Sequence, residues 1–184
     1  MELAGARAEI THESAAIAAA DAIVLPGVGA FKSAMQELGG NLDAIRRFTS
    51  QGKPLLGVCL GMQLSLTWSE EDGRTEGLGF IPGKVVKLPP VEKVPHMGWN
   101  SLKIDREHPF LEGIQPGAYV YFVHSYLVQP DDESTVLATT TYGIEFPAVI
   151  AQGSVIGTQF HPEKSGRVGL QMLRNFVKLV GGTV

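Results

Sequence analysis

The segment Pro54-Leu55-Leu56-Gly57-Val58-Cys59-Leu60-Gly61-Met62-Gln63-Leu64 contains the pattern that decides the fold. Apolar residues lead into Gly-x-Cys-x-Gly, and further apolar residues follow at helical spacing, so the pattern predicts a strand, a sharp turn and a helix. Gly57 and Gly61 remove side chains where the strand and the helix must approach each other. Cys59 between them can therefore adopt a strained backbone conformation and point outward, as the nucleophile does in a Gly-x-Ser-x-Gly elbow.

Cys59 is the only cysteine of the chain, and its position allows two interpretations. A thiol at a helix N-terminus lies at the positive end of the helix dipole, which favours the thiolate that a nucleophile requires. Alternatively, Cys59 is a small buried residue that fills space between strand and helix, because free cysteine is among the most buried residue types. Two glycines at this spacing also occur by chance, so the rest of the sequence has to decide between the two.

The composition is that of a globular protein with a sizeable core. The chain has 184 residues, of which 44% are hydrophobic, and we expect a single domain over residues 1–184. A formal net charge of −4 argues against a nucleic-acid partner. No apolar run approaches the roughly 20 residues that cross a bilayer, and the first residues lack the order of a secretory signal, so we expect a cytoplasmic protein without a membrane partner. One cysteine and scattered histidines predict no disulfide, no metal site and no cofactor.

The first sixty residues alternate predicted strands and helices, which is typical of a parallel α/β sheet. Ser14 is the predicted N-cap of the first full helix. Residues 1–6 resemble the end of another helix. The predicted strands are 8–11, 22–25 and the residues before the elbow, and the predicted helices are 15–20, 32–38 and 42–50.

From residue 77 onward the pattern changes to short strands separated by glycine and proline. Residues 152–154 predict a hairpin turn, and one apolar face predicts a final helix over 169–180. The architecture is therefore a parallel half and a more antiparallel half, closed by one helix. The strands of the second half are predicted within 77–88 and over 101–104, 119–124, 135–141, 148–151 and 155–160.

His161 and Glu163 follow the strand that ends at Phe160. A residue at the carboxyl end of a strand lies at the edge of a parallel sheet where the elbow also lies, and where open α/β sheets place ligands. His161 could then act as the base for Cys59, and Glu163 could orient the imidazole as the acid of a catalytic triad does. Taken singly, His161 is a surface residue at a strand end and Glu163 a solvated carboxylate. Their occurrence together opposite the only cysteine favours the catalytic interpretation.

The loop Pro26-Gly27-Val28-Gly29 is a candidate oxyanion hole. Glycine lets a peptide turn its N–H inward without steric cost, and one donor from this loop could converge with the amide of Leu60 on a carbonyl attacked by Cys59. Alternatively, the loop is an ordinary turn between a strand and a helix. Gln63, one helical turn beyond Cys59, could hold a polar group of a ligand, or could be plain helix surface.

Residues 57–63 and the segment 159–165, Gln-Phe-His-Pro-Glu-Lys-Ser, resemble the class I (triad-type) glutamine amidotransferases. Three further blocks narrow the resemblance to the glutaminase subunits of imidazole glycerol phosphate synthase, from histidine biosynthesis. The most discriminating block is Pro-His-Met-Gly-Trp-Asn, since relatives that serve anthranilate, GMP or carbamoyl phosphate synthesis differ there. The three blocks are 26–31, 95–100 and 121–126, and the matched motifs extend from residue 24 to residue 176.

The resemblance implies a fold and a reaction. The fold is α/β, with a flavodoxin-like, mostly parallel central sheet flanked by helices and an additional antiparallel sheet in the C-terminal half. The reaction is hydrolysis of glutamine to glutamate and ammonia through a thioester on Cys59, with His161 moving the proton and Glu163 orienting His161. The ammonia would pass to a separate (β/α)₈ cyclase subunit, the partner in a heterodimer, which makes imidazole glycerol phosphate and an aminoimidazole carboxamide ribotide.

The resemblance also assigns residue roles by position. Val28 and Leu60 correspond to the oxyanion donors. The implied substrate-binding residues are Gly27, Gly29, Gln63, Ser125 and Tyr126. The positions near the cyclase interface are Trp99, Asn100, Tyr121 and Lys164, for which local packing is the alternative explanation.

The N-terminus departs from the family pattern. Members normally begin with a strand and a helix that carry an Asp-Tyr-Gly-like turn and a Gly-Asn-Leu segment, and this sequence has neither. We therefore expect that the first strand and helix of the family are missing and that the chain is N-terminally truncated. Two other functions stay open: another enzyme on this scaffold, such as the glutaminase subunit of a different class I amidotransferase or a γ-glutamyl hydrolase, and a catalytically impaired interaction subunit.

Overall fold

The computed structural model describes residues 1–181 and contains five α-helices and twelve β-strands in that range. The helices are α1 (Ser14–Ala19), α2 (Phe31–Leu38), α3 (Leu42–Ser50), α4 (Leu60–Leu64) and α5 (Gly166–Leu179). The strands are β1 (Ile23–Leu25), β2 (Leu55–Val58), β3 (Leu66–Ser69), β4 (Thr75–Glu76), β5 (Ile81–Lys87), β6 (His96–Ser101), β7 (Lys103–Ile104), β8 (Tyr119–His124), β9 (Tyr126–Pro130), β10 (Val136–Tyr142), β11 (Ile144–Gln152) and β12 (Val155–Thr158).

The central sheet has six strands in the order β1-β2-β12-β11-β10-β7. Its first three strands are parallel to one another, and the remaining neighbours pair antiparallel. A second sheet has the order β4-β3-β5-β9, and β6 pairs antiparallel with β8. The expected α/β fold with a parallel-containing central sheet and additional antiparallel pairing is confirmed. The central sheet is less parallel than expected, because only its first three strands run parallel, and in the second sheet β3 also pairs parallel with β5.

The central sheet is covered on both faces. Successive side chains of a strand point to opposite faces, and along β2 Leu55 belongs to one core while Leu56 and Val58 belong to the other. The first core includes Phe31 from α2, and the second includes Phe176 from α5. A strand buried on both faces carries consecutive apolar residues, as the sequence before the elbow does.

The register of β2 and β12 sets the positions of the predicted nucleophile and base. Val58 lies beside Thr158 in the parallel ladder, and the backbone N–H of Cys59 donates to the Thr158 carbonyl at 2.7 Å. Cys59 and His161 therefore both leave the sheet at the carboxyl ends of neighbouring parallel strands, as the sequence predicts.

Three local predictions are wrong. Residues 8–11 form no strand and Ile10 is 96% exposed, because none of the described strands pairs with this segment. The N-cap of α1 is Glu13, and the Ser14 hydroxyl donates instead to the Asn41 side chain at 2.6 Å. The apolar spacing Leu60, Leu64, Trp68 predicted one helix after the elbow, but α4 ends at Leu64 and Trp68 lies in β3. In addition, strand β6 was not predicted, because Gly98 within it, with φ +135°, breaks the usual pattern of strand residues.

The remaining predicted elements lie close to the observed ones. The hairpin turn after Gln152 joins β11 to β12, and the final helix begins three residues earlier than predicted, at Gly166. Residues 1–6 contain a single 3₁₀ turn, Glu2–Ala4, and the predicted end of the final helix at Val180 becomes its C-cap. No helix within the described residues is long and apolar enough to span a membrane.

Candidate active site

The turn at Cys59 has the strained geometry of a nucleophile elbow. Cys59 has φ 52° and ψ −104°, an unfavourable conformation for a residue other than glycine, and it is the N-cap of α4. A Cβ at Gly57 would lie 2.5 Å from the Gly61 carbonyl oxygen, and a Cβ at Gly61 would lie 1.9 Å from the Leu25 carbonyl oxygen. Both glycines are therefore required by close backbone approach, which confirms the interpretation of the Gly-x-Cys-x-Gly pattern.

The Cys59 sulfur lies in a nearly closed environment with two polar neighbours. The residue is 6% exposed. Its thiol donates to the Val123 carbonyl at 3.7 Å, and the Gln159 amide donates to the sulfur at 3.6 Å. Burial alone fits the alternative of a space-filling cysteine, but the strained turn and the polar neighbours distinguish this thiol from an inert one.

His161 and Glu163 are hydrogen-bonded in the way that the sequence predicts. His161 Nδ1 lies 2.7 Å from Glu163 Oε1, the imidazole is almost fully buried, and the carboxylate is half exposed. Partial burial is the largest single influence on the pKa of Glu163 and acts to raise it, but the hydrogen bond from His161, a backbone hydrogen bond and the charges of His161 and Lys164 together outweigh burial, so the pKa lies below its usual value. Glu163 therefore stays ionised near neutral pH and fixes the proton of the ring on Nδ1.

The other side of the His161 ring interacts with the thiol. Nε2 is buried and makes no hydrogen bond of ordinary geometry with the other described residues. Even so, the Cys59 side chain is the largest cause that raises the pKa of His161 to about 9, followed by Glu163, against the opposing effect of burial. Because Glu163 occupies Nδ1, this interaction belongs to Nε2, and such contacts are often poorly aligned before substrate binds.

Ser165 holds the backbone that carries the base. Its buried hydroxyl donates to the His161 carbonyl at 2.6 Å and accepts from the Tyr121 N–H at 3.0 Å. The His161 N–H in turn donates to the Tyr121 carbonyl at 2.9 Å. Strand β8 and the turn after β12 are thus joined by two hydrogen bonds, and a third within the turn ties Ser165 to His161, which fixes the position of the imidazole relative to the sheet.

The loop Pro26–Gly29 lies against the beginning of α4. A Cβ at Gly27 would be 3.0 Å from the Leu60 Cβ, and Gly29 has φ +117°, which favours glycine. Val28 is 79% exposed, so its side chain faces solvent and not the core. The loop and Leu60 are therefore adjacent, and their roles as oxyanion donors stay predictions.

Gln63 is buried, which excludes the alternative of plain helix surface. Its Nε2 donates to the Tyr126 carbonyl at 3.0 Å and to Gln159 Oε1 at 3.2 Å, so both amide hydrogens are used inside the protein. A contact from Gln63 to glutamine would use the side-chain oxygen. Ser125 and Tyr126, at the start of β9, are partly buried near this site, and their contact with substrate stays a prediction.

Comparison with known proteins agrees with this geometry. The family profile for class-I glutamine amidotransferases matches residues 4–180. The chain belongs to this family. A crystal structure of a glutamine amidotransferase superposes with a TM-score of 0.75 at 21% identity, covering 97% of this chain and 88% of that one, which supports the fold.

Curated relatives indicate which kind of amidotransferase subunit this chain is similar to. Imidazole glycerol phosphate synthase subunit HisH of Natronomonas pharaonis is 51% identical over 184 residues, a match that covers 96% of this chain and 85% of the relative. The subunit of the same name from Archaeoglobus fulgidus is 52% identical over 181 residues, covering 98% and 90%. The similarity therefore extends over most of both chains.

The amidotransferase presents an exposed aromatic surface on β6 and β8. Trp99 is 56% exposed, lies opposite Tyr121 in the ladder, and packs edge-on against its ring with centroids 6.0 Å apart. Lys164 is exposed in the turn after His161. Asn100 differs from these predicted interface residues, because its side-chain amide donates to the Thr141 carbonyl at 2.8 Å and thus has a structural role within the chain.

A buried histidine pair lies behind this surface. His96 Nδ1 lies 3.1 Å from His124 Nε2, and His124 Nδ1 lies 2.8 Å from the Tyr126 carbonyl oxygen. Burial lowers the pKa of His96 to about 4 and is the main cause that lowers the pKa of His124 to about 3. Both rings are therefore neutral near pH 7, and since a carbonyl only accepts, His124 Nδ1 carries its proton and His96 donates to His124.

The histidine pair predicts a loss of stability in mild acid. The folded-state pKa values lie below the unfolded value of about 6.5, so this contribution is complete above pH 6.5 and is lost as the pH falls. Each histidine should lower the unfolding free energy by about 1.4 kcal/mol per pH unit between pH 6.5 and 5. The raised pKa of His161 acts in the opposite direction, but that contribution is almost complete below pH 6.5.

Urea unfolding at pH 6.5 and pH 5 measures this loss. The exchange His96→Phe removes the share of one histidine from this loss, while His124 and His108, whose pKa burial also lowers, still contribute. Exchange of the exposed His12 to Gln is the control. A loss of stability in His96→Phe equal to that of the parent would contradict the assignment.

Sequence reasoning missed four residues of this site: Gln159, Ser165, His96 and His124. Each lies within a motif or a predicted strand, but the sequence alone does not indicate a role for it. A signal was present, because each is a polar residue in or beside an apolar strand, and a buried polar group requires a partner. The identity of that partner depends on strand pairings that are distant in sequence.

Proposed function

We propose that this chain is the glutaminase subunit of imidazole glycerol phosphate synthase. The observation that carries the proposal is the placement of Cys59 on a strained elbow next to the hydrogen-bonded pair of His161 and Glu163. Relatives about half identical over most of their length, all named as the HisH subunit of that synthase, supply the reaction to which this site belongs.

The proposed reaction begins with the Cys59 thiolate and the His161 imidazolium. The sulfur attacks the side-chain amide carbon of glutamine, and the negative charge that forms on the oxygen is stabilised by N–H groups of Val28 and Leu60. His161 gives its proton to the nitrogen, the C–N bond breaks, and ammonia leaves a γ-glutamyl thioester. His161 then removes a proton from water, the water oxygen attacks the thioester, and glutamate is released with the thiolate restored.

Substrate binding would be provided by the surroundings of the elbow. We infer that Gly27, Gly29, Gln63, Ser125 and Tyr126 contact glutamine. Gly27 packs against Leu60 next to Cys59, and the side-chain oxygen of Gln63 would accept a hydrogen bond from the α-ammonium group. No metal or cofactor takes part in this reaction scheme.

The ammonia acceptor in this proposal is a cyclase subunit bound as a heterodimer in the cytoplasm. The surface that contains Trp99, Tyr121 and Lys164 is the proposed docking site, because tryptophan and tyrosine are enriched in interface hot spots. Tyr121 of this surface lies on β8, and its own carbonyl accepts from the His161 N–H, so the proposed docking surface and the catalytic site share one strand.

The proposal is tested by measuring glutamate release from glutamine with and without the cyclase subunit of the same organism. We expect turnover that rises when the cyclase is added, together with formation of imidazole glycerol phosphate from glutamine. Acceptor synthases of other class I amidotransferases serve as controls. Activation by one of those synthases instead would favour a different amidotransferase, and binding of the cyclase without any glutamate release would favour an impaired interaction subunit.

A further inference from the structure

Gln159 occupies a fully buried position between Cys59 and Gln63 of α4. It lies at the carboxyl end of β12, two residues before His161, and is 0% exposed. Its backbone N–H donates to the Ala148 carbonyl at 2.9 Å, which fixes the position of the residue in the central sheet. The side chain then spans from Gln63 to the Cys59 sulfur.

A chain of hydrogen bonds determines which end of the Gln159 amide faces the sulfur. The Tyr126 carbonyl can only accept, so the atom of Gln63 that lies 3.0 Å from it is the nitrogen. The same nitrogen lies 3.2 Å from Gln159, so the Gln159 atom that faces it is the oxygen. The Gln159 nitrogen therefore points to the Cys59 sulfur, at 3.6 Å.

We propose that Gln159 is a further catalytic residue, which donates an N–H to the Cys59 sulfur and stabilises its negative charge. The donor acts at two stages: on the thiolate before it attacks glutamine, and on the thiolate that leaves when water hydrolyses the thioester. These stages rest on the proposed glutaminase function, whereas the contact with the sulfur does not.

Gln159 differs from the other partners of the sulfur. The Val123 carbonyl can accept only from the thiol form, and therefore favours the neutral state. His161 gives up its proton during the reaction, so its charge changes from one stage to the next. Gln159 has no titratable group, and an amide N–H that is fixed by Gln63 remains directed at the sulfur throughout, without reorganisation.

The test uses the fact that Cys59 is the only cysteine, so alkylation by iodoacetamide reports on one thiol. The substitution Gln159→Glu keeps an oxygen that accepts from Gln63 but places a carboxylate against the sulfur. The substitution Gln159→Met keeps the volume and removes the donor. We expect the midpoint of the alkylation rate against pH to rise by about one unit in Gln159→Met and further in Gln159→Glu, so that at a pH below both midpoints alkylation of Gln159→Met is about tenfold slower than that of the parent.

Gln152→Met is the matched control, because Gln152 is exposed in the hairpin at the other end of β12. Its alkylation profile should coincide with that of the parent. A profile of Gln159→Glu that also coincides with the parent would overturn the proposal, and thermal melts of each variant identify any general loss of structure. If Gln159→Met is unfolded, Gln159→Leu takes its place as the variant without a donor, because a rise in Gln159→Glu alone would also follow from charge repulsion.

Alkylation does not require glutamine turnover, so it separates this inference from the proposed function. In the complex with the cyclase, both Gln159 variants should lower kcat while KM for glutamine changes little, because the donor contacts the sulfur and not the substrate. A shifted alkylation profile without any glutaminase activity in the parent would support the sulfur contact and contradict the proposed function.

Discussion

Replacement of Cys59 by alanine should abolish glutamine hydrolysis in the complex with the cyclase, with a loss of at least about 10⁴-fold. The substitution removes the only atom that can form the thioester, and the neighbouring groups cannot replace it because His161 and Gln159 then have no sulfur to activate. The expected measurement is release of glutamate from glutamine under conditions where the parent complex turns over.

The same variant provides its own control. Formation of imidazole glycerol phosphate by the cyclase with added ammonium salt should proceed as in the parent complex, since that step bypasses glutamine. Binding of the two subunits should also persist, because Cys59 is 6% exposed and contributes nothing to the outer surface. Glutamate release by Cys59→Ala equal to that of the parent would rule out both enzymatic interpretations of this chain.

The second large effect is expected from Gly61→Ala. The added Cβ would lie 1.9 Å from the Leu25 carbonyl oxygen, an atom of the neighbouring strand's backbone that cannot turn away as a side chain would. Overpacking typically costs about 1 to 3 kcal/mol, and a clash with a backbone atom places this substitution at the upper end of that range. For a domain of this size, that corresponds to a fall in Tm of roughly 10 °C in a thermal melt.

Gly40→Ala is the comparison for this prediction. Nothing lies within 4 Å of a Cβ at Gly40, and its φ is not in the left-handed region. Alanine there reduces the freedom of the unfolded chain, so the Tm should stay the same or rise slightly. Equal melting temperatures for Gly61→Ala and Gly40→Ala would mean that α4 can move away from β1, contrary to the close contact described here.

The parts of the site that the sequence predicted are those encoded by neighbouring residues. Gly57, Cys59 and Gly61 specify the elbow through their own backbone requirements, and His161 and Glu163 are two positions apart. The parallel pattern of strands then brings these two groups to one edge of the sheet. The local sequence, together with the rule that parallel strands end at one edge of their sheet, was sufficient to predict the elbow and the pair of His161 and Glu163 beside it.

Other contacts could not be predicted because they depend on register and on remote partners. The link between Gln63 and Gln159 joins residues 96 positions apart, and its orientation depends on a third residue in β9. Residues 8–11 show the opposite case, in which a local preference for strand is not realised because no described strand pairs with them. Strand formation depends on a partner in a way that a helix does not.

Strand β8 is hydrogen-bonded both to Cys59 and to His161, the two residues of the proposed proton transfer. Through its main chain, the carbonyl of Val123 accepts from the Cys59 thiol, and the carbonyl of Tyr121 accepts from the His161 N–H. The outward side chain of Tyr121, beside Trp99, belongs to the proposed docking surface. A small displacement of this one strand would change the separation of sulfur and imidazole, to which reaction rates respond steeply. A bound subunit could thus set the rate of ammonia production from outside, without inserting any group into the glutamine pocket.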